Sequence, residues 1–308
     1  MAPCVNRRAR YGIVALILVT VGFAALGQGF GTPSGFGPPA AAVGGDAQER
    51  TVGGRDGFFV HDQLAKLVVL LGLSGAAIAV LLTHAFRWRR LLLAVSVIVL
   101  GFVLGGVLCP MAAVQNVILK AGTGYLLLFL VPVVLAVLFG RVFCGSVCPF
   151  GALQELVHVR RWALRIPPRI GRVLSVVRSL FLVALVARVA ATGTSVLDGA
   201  TPFKAFFEFG GTPVTVAVSA LVLVLSIFTF RPFCRVACPL GAFLALVSRL
   251  RIFGVRGGAK CVSCKQCDRA CAADAMCGGK SRPEECLLCG DCFAACPVAA
   301  ISIVPPRR

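Results

Sequence analysis

Long apolar runs without charged residues dominate the pattern of hydrophobic and polar positions along this chain. Five of them cover about residues 11–27, 67–86, 91–108, 121–140 and 209–230. Most approach the ~20 residues that a membrane-spanning helix needs. A sixth run, about 173–192, contains Arg178 and Arg188 near its ends, where arginine can extend towards the headgroups. The pattern predicts a mainly α fold with a polytopic membrane core of about six spans.

Composition and charge support this assignment. The 308 residues are 58% hydrophobic and only 14% charged, whereas soluble domains average about 45–50% and about 25%. With the N-terminus inside, the inner segments hold 24 of the 31 Lys and Arg residues and the outer segments hold five. This asymmetry is typical of inner-membrane proteins, so the net charge of +19 does not indicate a nucleic-acid partner. We expect a multi-pass protein of the inner (cytoplasmic) membrane, in contact with the lipid bilayer and with both termini cytoplasmic.

The chain divides into three predicted regions. Residues 1–63 form an N-terminal anchor helix and a Gly/Pro-rich outer loop, residues 64–255 the membrane core, and residues 256–308 a C-terminal domain. The first apolar run follows a basic flank, as in a signal peptide, but no clear cleavage site follows it. A retained anchor is therefore the favoured interpretation.

Eight of the fifteen cysteines form two copies of C-x2-C-x2-C-x3-C in the last 50 residues. Three closely spaced cysteines can bind three corners of a [4Fe–4S] cluster, while the fourth cysteine of each run binds the other cluster. This rule predicts two sets of four ligands. The first set is Cys261, Cys264, Cys267 and Cys296, and the second is Cys286, Cys289, Cys292 and Cys271.

Zinc knuckles, which also use C-x2-C spacing, are the alternative for these cysteines. The repeated eight-cysteine order favours iron. Residues 259–304 resemble a bacterial two-[4Fe–4S] ferredoxin, with Ala272 in the place of the usual proline. The resemblance implies a small α+β domain with two [4Fe–4S] clusters.

A second repeat lies in the membrane core. The C-x3-C-P motif of Cys144 and Cys148 returns 90 residues later as Cys234 and Cys238. Since proline favours the first position of a helix, new helices should begin directly after Cys148 and Cys238. A helix N-terminus lowers the pKa of a thiol, so these four cysteines are candidate redox or metal-binding residues. A degenerate third copy places Cys109 before Pro110.

These two C-x3-C-P segments, with the cysteine-rich tail, resemble the NapH/NosR family of membrane-bound polyferredoxins over roughly residues 64–304. The resemblance implies electron transfer between the quinone pool and periplasmic or membrane reductase systems. The outer segment is too short and too rich in Gly and Pro for the periplasmic flavin domain of NosR. Asp198 to Thr201 matches a sequence at which flavin is esterified to threonine. Because this segment lies in a short loop, covalent flavin is not expected, and Thr201 is only the residue at which its attachment would be tested.

The sequence therefore predicts a membrane-bound iron–sulfur protein that relays electrons between the quinone pool, or a membrane redox partner, and cytoplasmic [4Fe–4S] clusters. Because the hydrocarbon layer is ~30 Å thick, the relay needs a quinone, an additional metal centre at the C-x3-C-P motifs, or a partner protein. A role as a quinol dehydrogenase subunit stays open. Two alternatives also stay open: a redox or metal sensor, and an assembly factor for a respiratory reductase.

Overall fold

The computed structural model describes residues 56–104, 114, 123–164, 166–192, 202–207 and 213–304. Helices make up most of this part of the chain. They are α1 (Asp56–Leu82), α2 (Arg89–Ser96), α3 (Thr123–Phe139), α4 (Pro149–Val157), α5 (Pro168–Thr192), α6 (Pro202–Phe207), α7 (Pro213–Phe228), α8 (Pro232–Val236), α9 (Pro239–Val247), α10 (Gln266–Ala270) and α11 (Asp291–Ala294). Two π-helical turns, Val97–Val103 and Phe143–Val147, follow α2 and precede α4.

Two helices in the described residues are long and apolar enough to cross a bilayer, over Leu64–Leu82 and Ile170–Thr192. Three further apolar helical stretches, Leu126–Phe139, Pro213–Phe228 and Pro239–Leu250, are shorter. The run at 91–108 forms helix α2 followed by a π-helical turn as far as Val103. The run at 11–27 lies outside the described residues. The helical membrane character is thus supported, while the number of six spans is not confirmed.

Helices α4 and α9 begin where the C-x3-C-P motifs predict. Cys148 and Cys238 are the N-cap residues, with extended backbone, and Pro149 and Pro239 occupy the first helical turn. Because proline disfavours helix at the residue before it and fits the first helical position, each motif ends one element and starts the next. Phe150 at the start of α4 is 1% exposed, so the segment that carries the motif lies in the protein interior.

A four-stranded antiparallel sheet forms in the C-terminal segment. Its strands are β1 (Gly254–Gly257), β2 (Met276–Cys277), β3 (Lys280–Ser281) and β4 (Ile301–Val304), in the order β2-β3-β1-β4. Strand β1 pairs with β4 along its full length, from Gly254 opposite Val304 to Gly257 opposite Ile301. The two cysteine runs lie between the first and last strands of this sheet, so the segment contains both short helices and strands, as an α+β class requires.

Candidate iron–sulfur sites

The structure brings the first predicted set of four cysteines to the lining of one cavity of about 210 Å³. Cys261, Cys264 and Cys267 come from the first run and Cys296 from the end of the second. Cys261 and Cys264 are exposed. This cavity therefore opens towards the surface of the tail.

The second set, Cys271, Cys286, Cys289 and Cys292, lines a different cavity. Its other lining residues are mostly apolar and include Met276. Three of the four thiols are buried, Cys289 being the half-buried one. An apolar, buried lining excludes water, and solvent exposure is one of the factors that set the potential of a cluster. The two sites thus differ in environment, one exposed and one enclosed.

The fourth cysteine of each run has the same local geometry in both copies. The backbone N–H of Ala275 donates to Cys271 Sγ at 3.2 Å, and that of Ala300 donates to Cys296 Sγ at 3.3 Å. Hydrogen bonds from N–H groups stabilise charged acceptors such as a thiolate. The donor sets fit two iron–sulfur clusters, and ligation by these eight residues stays a prediction. Within the described ranges no group of three or more His, Cys, Asp or Glu residues is arranged to hold a single metal ion.

The four C-x3-C-P cysteines come together although 90 residues separate the two motifs. Cys148 lies within electrostatic range of Cys144 and Cys234, and Cys238 within range of the other three. Cys144, Cys148 and Cys238 are buried and Cys234 is half-buried. The four motif thiols of the helical core are therefore close enough for their charges to interact.

N–H groups from both repeats donate hydrogen bonds to two of these thiols. The backbone N–H of Gly241 donates to Cys238 Sγ at 3.2 Å, and Gln154 Nε2 donates to Cys234 Sγ at 3.7 Å. Gln154 is fully buried and its Oε1 accepts from the backbone N–H of Phe233, on the second repeat. Gln154 thus links helix α4 to the neighbouring motif.

The predicted lowering of the thiol pKa is wrong for Cys148. Burial, together with the neighbouring thiols of Cys234 and Cys144, raises the pKa of Cys148 to about 12. The backbone N–H of Gly151 at the start of α4 acts in the opposite direction but is outweighed. Desolvation disfavours the charged form more strongly than one helix terminus favours it.

Two carboxylates in this region are each shared by two buried arginines. Glu155, on α4, accepts from Arg89 Nη1 and from Arg231 Nη2, both at 2.5 Å. Burial alone would raise the pKa of Glu155, but the two guanidinium groups outweigh it and lower the pKa to about 2. Glu155 is therefore a permanent negative charge between the two repeats.

The second carboxylate, Glu285, comes from the tail. It lies 3.5 Å from Arg141 Nη1 and 3.3 Å from Arg178 Nη2. Arg178 also donates to the carbonyl oxygen of Cys234 at 3.2 Å and is only 1% exposed. The expectation that Arg178 extends to the headgroups is wrong, because its charge is paired inside the protein.

The two repeats contact each other in a reciprocal manner. A Cβ at Gly151 would lie 2.9 Å from Arg231 Nη1, and a Cβ at Gly241 would lie 3.3 Å from Arg141 Nη2. The arginine three residues before the first cysteine of each motif therefore packs over the glycine two residues after the proline of the other motif. Glycine at these positions makes the close approach of the guanidinium groups feasible.

The tail packs directly against the first motif. Gly145, between Cys144 and Cys148, approaches Leu287 so closely that a Cβ at Gly145 would overlap the Leu287 carbonyl oxygen. Leu287 lies between Cys286 and Cys289 of the enclosed tail site. The enclosed site and the first C-x3-C-P motif are thus adjacent through one backbone contact.

A second contact joins the enclosed site to the turn between α1 and α2. The rings of Phe86 and Phe293 lie 5.3 Å apart, and a Cβ at Gly290 would overlap the Phe86 ring. Gly290, with φ +86, follows Cys289, and Phe293 follows Cys292.

Sequence reasoning did not identify Glu155, Glu285 or Gly145 as functional residues. The only signal was the arginine that opens both C-x3-C-P motifs, since a buried arginine requires a carboxylate partner. Cys109 and Thr201 lie outside the described residues.

Comparisons with known proteins bear mainly on the helical core that carries the C-x3-C-P motifs. A family described as "4Fe-4S binding domain" matches residues 121–167 and 212–256, which contain the four C-x3-C-P cysteines and no other cysteine. An uncharacterized protein from Methanocaldococcus jannaschii, MJ0750, is 32% identical over 63% of this chain and 85% of its own length. The regulatory protein NosR of Pseudomonas aeruginosa is 34% identical over 50% of this chain and 24% of its own length. The putative electron transport protein YccM of Escherichia coli is 29% identical over 62% of this chain and 60% of its own. No solved structure matches the chain.

The fold and the cysteine sets define a ferredoxin-type iron–sulfur protein with an apolar helical core. Within that class, the chain belongs to the NosR/NapH-like ferredoxin-type family.

Proposed function

We propose that this protein is a membrane-bound electron carrier that relays electrons between the quinone pool, or a membrane redox partner, and two [4Fe–4S] clusters in its cytoplasmic tail. The observation that carries the proposal is the sorting of the eight tail cysteines into two sets of four, each lining its own cavity. Iron–sulfur clusters supply one-electron chemistry, and the chain supplies their ligands, burial and hydrogen bonds.

The environments of the two sites indicate the order of the relay. The site of Cys261 and Cys264 is exposed, so it is the one that a separate redox protein can approach. The site of Cys286 and Cys292 is buried and adjoins the helical core through Leu287. Electrons therefore pass between this separate redox protein and the helical core by way of the exposed site and then the enclosed site.

The surface beside the exposed site fits an acidic redox protein. Lys260 and Lys265 are exposed next to Cys261 and Cys264, and Val262 is 65% exposed among them. A basic surface with an apolar centre guides an acidic partner and places it over the cluster.

Placement of the tail on the cytoplasmic side rests on the distribution of basic residues. Of the 31 Lys and Arg residues, 24 lie in the segments that a six-span arrangement with an inner N-terminus places inside. Such an arrangement brings both C-x3-C-P motifs to the inner side of the bilayer. The clusters of the tail then lie on the inner side of the bilayer. Electron transfer across the hydrocarbon layer is carried by a quinone, by a further redox centre or by a partner subunit.

Electron paramagnetic resonance of the anaerobically purified protein in nanodiscs tests this function. We expect two interacting [4Fe–4S] signals on reduction with dithionite, and at least one of them on addition of a quinol. Cys264→Ser and Cys289→Ser should each remove one signal, while Cys277→Ser, outside both sets, should leave both. Two iron–sulfur signals that quinol never produces would refute electron transfer from the quinone pool and would favour a membrane redox partner, a sensor or an assembly factor. Zinc in the tail sites would refute the clusters themselves.

A further inference from the structure

A polar cavity lies between the start of helix α5 and the C-terminal tail. Gly171, Arg172 and Ser175 line it from the helix, and Asp274 and Arg282 line it from the tail. Its volume is about 90 Å³, whereas one buried water molecule needs only about 10–15 Å³ of such space. The cavity therefore has room for a phosphate group. None of its lining residues is a cysteine, so it is separate from both tail cluster sites.

The carboxylates that line this cavity are already paired. Each of the three lies 3.3–3.9 Å from an arginine nitrogen. The pairs are Asp274 with Arg235, Glu285 with Arg178, and Glu284 with Arg249. These carboxylates therefore do not balance any further positive charge in the lining.

Two further guanidinium groups line the cavity without a carboxylate of their own. Arg282 donates through Nη2 to the backbone carbonyl oxygen of Asp274. Within the described ranges, neither Arg172 nor Arg282 forms an ion pair. The lining thus has a surplus of positive charge, carried by groups that bind phosphate oxygens through paired hydrogen bonds.

Arg172 stands at the tail-side end of an exposed apolar stripe on α5. Val176, Leu180 and Val183 follow it by four, eight and eleven residues, so they share its face of the helix. They are 58%, 63% and 64% exposed. In the described part of the chain, α5 is one of the two helices that are long and apolar enough to cross a bilayer. A basic cavity at the end of an apolar helix face matches the two parts of a phospholipid, its phosphate and its acyl chains.

We propose that this cavity binds the phosphate of an anionic phospholipid, whose acyl chains lie along the Val176, Leu180 and Val183 face of α5. Arg172 binds the phosphate from the membrane helix and Arg282 binds it from the tail, so the lipid fastens the tail to the helical core. The surplus positive charge favours a headgroup with net negative charge over one that brings its own cation. This inference rests on the membrane placement in the proposed function and on no property of the clusters.

Native mass spectrometry of the full, cluster-loaded chain in detergent, titrated with phosphatidylglycerol, tests the site. We expect one lipid per chain to bind more tightly than the others, and phosphatidylcholine to bind this site more weakly. Arg172→Gln/Arg282→Gln should weaken the first binding step about tenfold or more. Arg90→Gln/Arg161→Gln removes two exposed arginines elsewhere and is the matched control. It should leave the first binding step unchanged.

A second variant keeps both arginines and fills the cavity. A Cβ added at Gly171 meets no neighbouring atom within 4 Å, so Gly171→Leu should fold without overlap while its side chain occupies the space of the phosphate. We expect the same weakening of the first binding step, with unchanged iron–sulfur signals from the tail. Gly75→Leu, at an equally open glycine in α1, should bind lipid as the wild type does.

The outcomes separate a lipid from a free phosphate ion, which offers the same oxygens. Inorganic phosphate that raises the unfolding temperature as much as phosphatidylglycerol does, with the same dependence on Arg172 and Arg282, would overturn the lipid assignment. Phosphatidylcholine that binds as tightly as phosphatidylglycerol would overturn the preference for an anionic headgroup. Lipid binding that neither Arg172→Gln/Arg282→Gln nor Gly171→Leu weakens would overturn the site and leave the relay standing. Wild-type protein that binds the lipid but gives no iron–sulfur signals would overturn the relay and leave the lipid site standing.

Discussion

Gly145→Ala tests the contact between the enclosed tail site and the helical core. Gly145 is buried in the π-helical turn Phe143–Val147. An added Cβ would overlap the carbonyl oxygen of Leu287, and it would lie 3.1 Å from the Leu287 carbonyl carbon and 3.3 Å from its Cβ. Since the obstructing atoms belong mainly to backbone, a rotamer change cannot relieve the overlap.

The change in the free energy of unfolding caused by Gly145→Ala follows from two opposing effects. Overpacking of a buried site costs about 1–3 kcal/mol. The smaller conformational freedom of alanine in the unfolded chain stabilises the protein by about 0.4–1 kcal/mol. The φ of Gly145 is not among the positive values in the chain, so no backbone penalty is added. We expect a net destabilisation of about 1–2 kcal/mol, concentrated in the docking of the tail.

Limited proteolysis and thermal unfolding of the cluster-loaded protein in nanodiscs measure this effect. Gly145→Ala should make the tail more accessible to protease and should lower the unfolding temperature. Gly75→Ala is the matched control, because it lies within helix α1 and no heavy atom lies within 4 Å of its added Cβ. If Gly145→Ala behaved like Gly75→Ala in both assays, the proposed contact between Leu287 and the first motif would be wrong.

Three further predictions follow from other sites. Glu155 has a pKa lowered to about 2, so its pairing should contribute about 3 kcal/mol to stability at pH values above the unfolded-state pKa of about 4.3. This contribution is lost as the pH falls through the folded-state pKa. Chemical unfolding between about pH 5 and pH 2 should show that the difference in free energy of unfolding between wild type and Glu155→Gln disappears. Cys264→Ser and Cys289→Ser should each lower the iron content by about four per chain, whereas unchanged iron in either variant would remove that residue from the predicted ligands. Arg160→Ala should cost less than about 1 kcal/mol in thermal unfolding, because Arg160 is 64% exposed in its 2.7 Å pair with Asp291; a larger loss would mean that this pair fastens the tail to the core.

The sorting of the tail cysteines was predictable because it depends on local spacing. Three cysteines separated by two residues reach one cluster from one loop, and the fourth, such as Cys271, must point to the other site. The starts of α4 and α9 were predictable for a similar reason, since Pro149 and Pro239 restrict the backbone at the residue before them. Such effects act over a few residues and leave a direct mark on the sequence.

The partners of the buried arginines could not be predicted in the same way. Arg178 lies in an apolar run, and its position near one end of that run was compatible with a headgroup contact. Its partner Glu285 is 107 residues away, so the pairing depends on how the tail docks. The length of each apolar run likewise did not reveal that the segment beginning at Arg89 changes from α-helical to π-helical hydrogen bonding at Val97.

The repeat itself explains why the tail is needed at this place. Glu155, on α4 of the first repeat, pairs with Arg231 of the second, and the corresponding position of the second repeat, 90 residues later, is Ala245. Arg141 therefore receives no equivalent carboxylate from α9, and Glu285 supplies one from the residue before Cys286. The tail segment that carries a predicted ligand of the enclosed site thus supplies the carboxylate that the second repeat lacks. Because buried arginines without a counter-charge are costly, docking of the tail is coupled to the stability of the core, and any movement of the Cys286 loop changes the charge beside the four motif thiols.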